Sequence, residues 1–352
     1  MRILVLLTLL MSFALFAKPS IDYKYIPKDA NLIGHIATKK LTANKHFKKF
    51  LKTKDGKDVK KKLKVMGINL NKLGSVFFYS NADKVLGSKN PEKDVKELDF
   101  AIILKGITFE KFIKELAKKE KKNTKIIDFK GHKIYQDLSS EDDTNNNLKA
   151  ISFVKGSSVI GSVPGVKKVI KSIKGKSTFS EKALVNKMHK AFVNPHVFII
   201  NIINSKQKAL INSAVTKNSA NPVMAMLGIP ALSKAAKSLG FALKLNGNKL
   251  LVQVAIQADK ATAKSFITGL NMQFKQFKPM IMQQVSMYAG VLGPLGVKEL
   301  KSIINSLKIV QKKDLALVSF KVNVDNVAKI MKKMDQQKSQ QNDDMMKMMQ
   351  KK

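Results

Sequence analysis

The sequence contains one pattern of strands and helices twice, and this repeat constrains the fold more than any other feature. Each copy opens with an apolar run that predicts a strand, at residues 31–36 and at residues 196–203. A helical segment and two glycines then follow at corresponding steps. These glycines are Gly67 and Gly74 in the first copy and Gly228 and Gly240 in the second. The repeat predicts two tandem units of one fold.

The rest of each unit follows from hydrophobic spacing. A strand runs into an amphipathic helix, at residues 100–104 and again at residues 250–256, and a hairpin and a third helix close the unit. The amphipathic helices carry apolar residues mainly at i, i+3, i+4 and i+7. These are Phe109, Phe112, Ile113, Leu116 and Ala117 in copy 1, and Ala263, Phe266, Ile267, Leu270 and Phe274 in copy 2, with Phe277 continuing the buried stripe.

Each unit therefore has the predicted order β-α-β-β-α-β-β-α, an α+β fold with a mostly antiparallel sheet and helices packed on one face. The predicted domains are copy 1 at residues 26–175 and copy 2 at residues 194–335. Residues 176–193 form a packed helical linker with an apolar side that includes Val185 and Met188. The polar residues 336–352 are predicted to form a disordered tail.

The first 17 residues have the order of a secretory signal peptide. Arg2 precedes a 14-residue apolar run, at residues 3–16, which ends at the small residue Ala17. A run of that length is shorter than the roughly 20 residues of a membrane-spanning helix. We expect cleavage after Ala17, export to the periplasm or the outside, and no transmembrane segment afterwards.

The exported chain is strongly basic. Arg2 is the single Arg among 65 basic residues, so 64 Lys remain against 25 acidic residues, a net charge of 64 − 25 = +39. This charge favours binding to an anionic envelope polymer or lipid. Lys lacks the planar fork with which Arg reads base edges, so sequence-specific nucleic-acid recognition is not expected. A solvated surface set by overall composition is the alternative interpretation of the lysines.

Lysines are concentrated in two predicted helices. Nine of them lie in the first helical region, between Lys48 and Lys64, and others lie on the polar side of the helix that contains Glu110. If these helices lie side by side on the sheet, they form one positive surface. The candidate anion-binding residues are Lys48, Lys49, Lys52, Lys60, Lys61, Lys62, Lys114, Lys118 and Lys122.

A second candidate surface lies in a Met- and Phe-rich stretch at residues 272–295, which has no equally apolar counterpart in copy 1. Pro279 is expected to kink its helix, and the glycines from Gly293 onward are expected to end it. Flexible thioethers suit adaptable apolar surfaces. The candidate residues are Met280, Met282, Met287 and Tyr288. The alternative is that the stretch packs against the sheet or the other unit.

The sequence predicts no catalytic, cofactor-binding or metal-binding residues. It contains no Cys, and the segment from Gly156 to Gly161 misses the spacing of a hydrolase nucleophile elbow by one residue. The five His residues show no metal-ligand spacing. His35 and His196 lie at similar places in the opening strands, for which a structural role or coincidence is the favoured explanation.

We therefore expect an exported, basic, non-enzymatic protein that binds anionic cell-envelope material or has a structural role there. A periplasmic carrier or chaperone for an apolar or lipid-like ligand is the alternative, and an unrecognised hydrolase is the third hypothesis. The sequence leaves the ligand and the oligomeric state open.

Overall fold

The computed structural model describes residues 21–65, 73–81, 99–107, 110, 113–114, 124–137, 150–175, 179–217 and 229–330. The predicted signal peptide and C-terminal tail lie outside these residues. The helices are α1 (Thr38–Ala43), α2 (Lys45–Phe50), α3 (Lys54–Val65), α4 (Val163–Lys174), α5 (Lys182–Ala191), α6 (Ser205–Lys217), α7 (Ile229–Ala235), α8 (Lys260–Met287) and α9 (Ala289–Ser306). Residues 324–330 are also helical.

Twelve strands form one sheet within the described part of the chain. They are β1 (Leu32–Ile36), β2 (Ser75–Asn81), β3 (Asp99–Lys105), β4 (Thr124–Phe129), β5 (His132–Asp137), β6 (Ala150–Val154), β7 (Ser157–Gly161), β8 (Val197–Ile202), β9 (Ser238–Asn246), β10 (Lys249–Gln257), β11 (Lys308–Lys312) and β12 (Leu315–Asn323). Their order is β11-β12-β10-β9-β8-β1-β2-β3-β7-β6-β5-β4, and every described pairing is antiparallel. The fold is mixed α+β.

The two predicted units meet at the centre of this sheet. Strand β1 pairs with β8, with Leu32 opposite Asn201 and Ile36 opposite Val197. Outward from this pair, β2, β3, β7 and β6 follow on one side, and β9, β10, β12 and β11 follow on the other. The order is the one that two copies of a unit would give. Their superposition, and the domain boundaries, stay predictions.

Buried apolar clusters and helices lie on both faces of the joint sheet, in addition to the one face that the sequence assigned to the helices of each unit. Along β3, Ala101 and Ile103 belong to one buried apolar cluster and Ile102 and Leu104 to another. Successive side chains of a strand point to opposite faces, which places the clusters on opposite sides of the sheet. Helices α4 and α5 cover the first face, and α2 and α8 lie on the second.

The linker helix α5 closes the first face. Val185 and Met188 are fully buried in the same cluster as Phe198 of β8 and Leu317 of β12. The helix thus packs across strands of the second half of the sheet. Burial of one apolar side explains why these residues are ordered as a helix within the connection.

The hairpin β4–β5 was missing from the predicted unit. Its two-residue turn consists of Lys130 and Gly131, with φ values of 50° and 72°. Positive φ at both central residues is the geometry that tight hairpin turns favour. The overlooked signal is the pair of apolar segments that flank this turn. Ile126 and Ile127 precede it, and Ile134 and Tyr135 follow it.

The second face carries the longest helix. The first half of α8 packs on β11 and β12, where Ile267 is buried with Ile309 and Ala316. Pro279 does not end α8, which continues to Met287. The predicted stop at Gly293 is instead a break inside α9, because Gly293 has φ 66° and Pro294 then opens the next helical segment.

Candidate functional site

The lysine-rich helices are held on the sheet by a short apolar side. The side-chain oxygen of Asn44 caps α2 by accepting hydrogen bonds from the N–H groups of His46, at 2.8 Å, and Phe47, at 3.3 Å. Phe47 and Leu51 are buried in the cluster of the second sheet face. With these two residues facing the sheet, the lysines of the segment face solvent.

Seven exposed lysines define what we call the lysine surface. They are Lys48, Lys49, Lys52, Lys57, Lys60, Lys61 and Lys64. None of the seven forms an ion pair with another residue of the described ranges. Their charges therefore remain available to an external anion.

The other predicted lysines join this surface only in part. Ile113 packs in the same cluster as Phe47, so Lys114 lies on the same face of the sheet as α2. Lys114 is committed to an ion pair with Glu110 at 2.7 Å. Lys118, Lys122 and the side chain of Lys62 lie outside the described residues.

The predicted apolar surface is exposed along the last part of α8 and at its turn into α9. The exposed fractions are 47% for Met280, 80% for Met287 and 57% for Tyr288. We call these three residues the apolar tip. Met282 is half-buried.

The buried stripe of α8 ends earlier than the sequence predicted. Phe274 is the last residue of α8 that packs in the cluster with β11 and β12. Phe277 is 37% exposed, so the prediction that it continues the core is wrong. Beyond Phe274, Val285 is the one buried residue of α8. The spacing is correct for a helix, but spacing alone does not show how far along the helix its buried side extends.

The base of the hairpin is fixed near the lysine-bearing helices. Glu299 of α9 accepts hydrogen bonds from the backbone N–H of Asn323, at 2.6 Å, and from the side-chain amide of Asn326, at 2.8 Å. Next to Asn326, Asp325 lies 3.5 Å from the ring of His46 on α2. Thus α9 and α2 are linked on one face of the sheet. The side-chain oxygen of Asn323 caps the helix of residues 324–330 by accepting hydrogen bonds from the N–H groups of Asp325 and Asn326.

Two histidines, His35 of β1 and His189 of α5, lie beside Phe198 of β8. Both rings contact Phe198, with centroid distances of 5.7 Å for His35 and 5.0 Å for His189. Nδ1 of His35 and Nε2 of His189 have no hydrogen-bond partner among the described residues. Burial, with smaller contributions from the charges of His189 and Lys105, lowers the pKa of His35 to about 3. Burial also lowers the pKa of His189.

The two strand histidines singled out from the sequence have different roles. His35 lies in the core, whereas Nδ1 of His196 accepts a hydrogen bond from the backbone N–H of Leu245 at 3.1 Å. The described residues contain no group of three or more His, Cys, Asp or Glu side chains that could hold a metal ion. His189 was missed, because nothing in the sequence shows that α5 places it beside His35.

No helix in the described ranges combines the length and apolarity that a membrane span requires. No protein-family model and no curated protein matches the sequence. Among solved structures, the chain is similar to crystal forms I, III and IV of a protein named TP0453, with TM-scores of 0.43, 0.42 and 0.41. Identities are 11%, 11% and 10%, over 90%, 89% and 89% of this chain and 99%, 98% and 97% of the others. Similarity at this level carries no inference about function.

Proposed function

We propose that this chain is an exported, non-enzymatic binding protein that attaches to anionic material of the cell envelope through its lysine surface. The observation that carries the proposal is the set of seven exposed lysines on α2, on α3 and in the short connection between them, without ion-pair partners in the described structure. Export, to the periplasm or the outside, is proposed from the signal-peptide pattern of residues 1–17.

Charge density gives the proposal its physical basis. Residues 45–65 contain ten Lys and two Asp, a local charge of 10 − 2 = +8. Opposite charges on a polymer or a lipid surface would be attracted over roughly 10 Å at 0.1 M salt and screened at higher salt. The ammonium group of lysine is a compact, hydrated point charge. We therefore expect the protein to select anionic ligands by their charge density and only weakly by their sequence.

A matched pair of triple variants tests this proposal. Lys48, Lys52 and Lys60 are changed to Gln in the test protein. In the control, three exposed lysines outside the lysine surface are changed to Gln. These are Lys155 in the β6–β7 turn, Lys171 on α4 and Lys190 on α5. Both variants lose three charges, so they differ only in where the charges are lost.

The measurement is the salt concentration that elutes each protein from a dextran sulfate resin. We expect the test variant to elute at clearly lower salt than the parent, and the control variant to elute close to the parent. Equal elution of the two variants would show that net charge alone controls binding, and would contradict a dedicated surface.

The exposed apolar tip favours a second candidate function, a carrier or chaperone for an apolar or lipid-like ligand. Exposed methionines are adaptable apolar contacts. Native mass spectrometry of the protein isolated from its own host would test this function. A lipid bound in a fixed ratio would support the carrier, and a ligand-free protein would contradict it.

A further inference from the structure

We propose that the apolar tip of the α8–α9 hairpin enters the headgroup region of an anionic lipid bilayer, with the neighbouring lysines lying against the lipid phosphates. This inference rests on the proposed function, because it identifies the anionic envelope material as lipid. It also adds a second contact, which the lysine surface alone does not supply.

The first argument is the exposure of apolar side chains at the turn between α8 and α9. Met287 is 80% exposed and Tyr288 57% exposed, and both lie at the turn of the hairpin. The turn at Met287 follows Phe274, the last residue of α8 in the cluster with β11 and β12, by 287 − 274 = 13 residues, or about 20 Å of helix. Interfacial helices place their apolar side about 5–10 Å into the headgroup boundary. The hairpin is therefore long enough to reach that depth without burying the sheet.

The second argument is the distribution of charge. Residues 279–297 contain no charged side chain, and Lys275, Lys278 and Lys298 flank them. No acidic residue lies between Asp259 and Glu299. Glu299 is engaged by the backbone of Asn323, so its carboxylate does not face the tip as a free anion. An uncharged end between cations matches the layers of an anionic bilayer, whose apolar interior lies beneath negatively charged headgroups.

The third argument is the chemistry of the tip residues. Tyr carries an apolar ring with a polar hydroxyl, a combination that is enriched at membrane–water interfaces. Met280 and Met287 provide flexible apolar contacts of the kind that suit a fluid surface. Met287 and Tyr288 are exposed at a turn between two helices, and this exposure favours insertion into lipid over enclosure of a small ligand.

The chain contains no Trp, and this allows a clean optical test. Tyr288→Trp places a single fluorophore at the tip. Val193→Trp places one at an exposed site that follows α5, the helix covering the opposite face of the sheet. Each protein is mixed with two kinds of vesicle, one made of phosphatidylcholine alone and one made of phosphatidylcholine and phosphatidylglycerol. Each kind is prepared both with and without brominated acyl chains. We expect a blue shift and quenching by brominated lipid for Tyr288→Trp with the anionic vesicles, and no quenching for Val193→Trp.

A second variant separates insertion from charge attraction. Met287→Asp puts a carboxylate at the most exposed tip position. We expect binding to anionic vesicles to weaken by about 10-fold or more, since a charge must then be desolvated in the interface. Elution from dextran sulfate should stay close to that of the parent, because this resin has no apolar layer.

The outcomes distinguish the two proposals. Binding to anionic vesicles without quenching of Tyr288→Trp would overturn insertion and leave the lysine surface supported. If the test and control triple-lysine variants lose dextran sulfate binding to the same extent, the proposed lysine surface is overturned even if the tip inserts. A third outcome is a protein that forms a dimer only when the tip is intact and shows no quenching of Tyr288→Trp. This outcome would show that a second copy of the chain covers the tip, and would also overturn insertion.

Discussion

The carboxylate of Glu299 accepts a hydrogen bond from the backbone N–H of Asn323, at 2.6 Å. Its second oxygen accepts a hydrogen bond from the side-chain amide of Asn326. Glu299 is only 4% exposed to solvent. A buried carboxylate with two donors ties the start of the last helix to α9. This contact fixes the base of the α8–α9 hairpin, so its turn is presented from a rigid support.

Replacement of Glu299 should therefore weaken the fold. We expect Glu299→Ala to lower the free energy of unfolding by about 1.5–3 kcal/mol, because two donors lose a charged acceptor. Glu299→Gln should cost less, since one acceptor oxygen remains for the backbone of Asn323. Denaturant unfolding measures both. The control is Glu110→Ala at a surface ion pair, expected to change stability by about 0.5 kcal/mol or less. Equal losses at the two sites would contradict the anchoring role.

Two phenylalanines test where the core ends. Phe198 is fully buried, so Phe198→Ala should destabilise the protein by about 3–5 kcal/mol. Phe277 is 37% exposed, so Phe277→Ala should cost about 1 kcal/mol or less. Thermal melts of both variants measure the difference. A Phe277→Ala protein as unstable as Phe198→Ala would show that a partner or another segment buries the second half of α8.

Acid should destabilise the protein through His35. Because burial lowers the pKa of His35 from 6.5 to about 3, the unfolded chain binds a proton that the folded protein excludes. The stability is fully present above pH 6.5 and falls as the pH decreases towards 3, by up to about 1.4 kcal/mol per pH unit. Urea unfolding at successive pH values measures this slope.

The matched variant for the pH experiment is His35→Leu, which removes the titrating ring and its unpaired Nδ1 from the apolar cluster. Carboxylates contribute to acid unfolding equally in both proteins, so the difference between the two curves isolates the contribution of His35. We expect the variant to gain stability relative to the parent as the pH falls. Parallel curves would show that His35 does not titrate in this range.

Two glycines provide a test of close packing. A Cβ at Gly165 of α4 would lie 2.0 Å from the carbonyl oxygen of Phe100, and Tyr79 donates a hydrogen bond to the Gly165 carbonyl at 2.5 Å. Gly165→Ala should therefore destabilise the fold by about 3 kcal/mol or more, since backbone must move. At Gly290 nothing lies within 4 Å, so Gly290→Ala should be neutral or stabilising by up to about 1 kcal/mol. Equal melting temperatures would contradict the contact between α4 and β3.

Much of the secondary structure was accessible from the sequence. The strands at residues 31–36 and 250–256 and the helix with Phe266 and Ile267 form as predicted, because apolar runs and 3.6-residue spacing reflect local burial. The α+β class follows from their order. The hairpin β4–β5 was missed because its strands are half-exposed and its Lys-Gly turn carries a weak signal.

The sequence predicted which residues belong to the candidate surfaces, but not where those residues lie relative to one another. The sequence identified Lys48 and Met287 by composition, and each is exposed. It gave no sign that α2 and α9 are linked on one face of the sheet, because the link depends on the contact between His46 and Asp325, which are 325 − 46 = 279 positions apart in the chain.

The sequence by itself determined which residues of each element are apolar, how often the pattern recurs and how basic the chain is. Only the tertiary structure decided what covers each apolar side. Phe274 and Phe277 belong to the same helical stripe, yet the first packs on the sheet and the second is open to solvent. Likewise, β1 and β8 read as separate opening strands and become neighbours in one sheet. The periodicity of a sequence shows which side of an element would gain free energy from burial. Whether that side is buried depends on a partner that is distant in the chain.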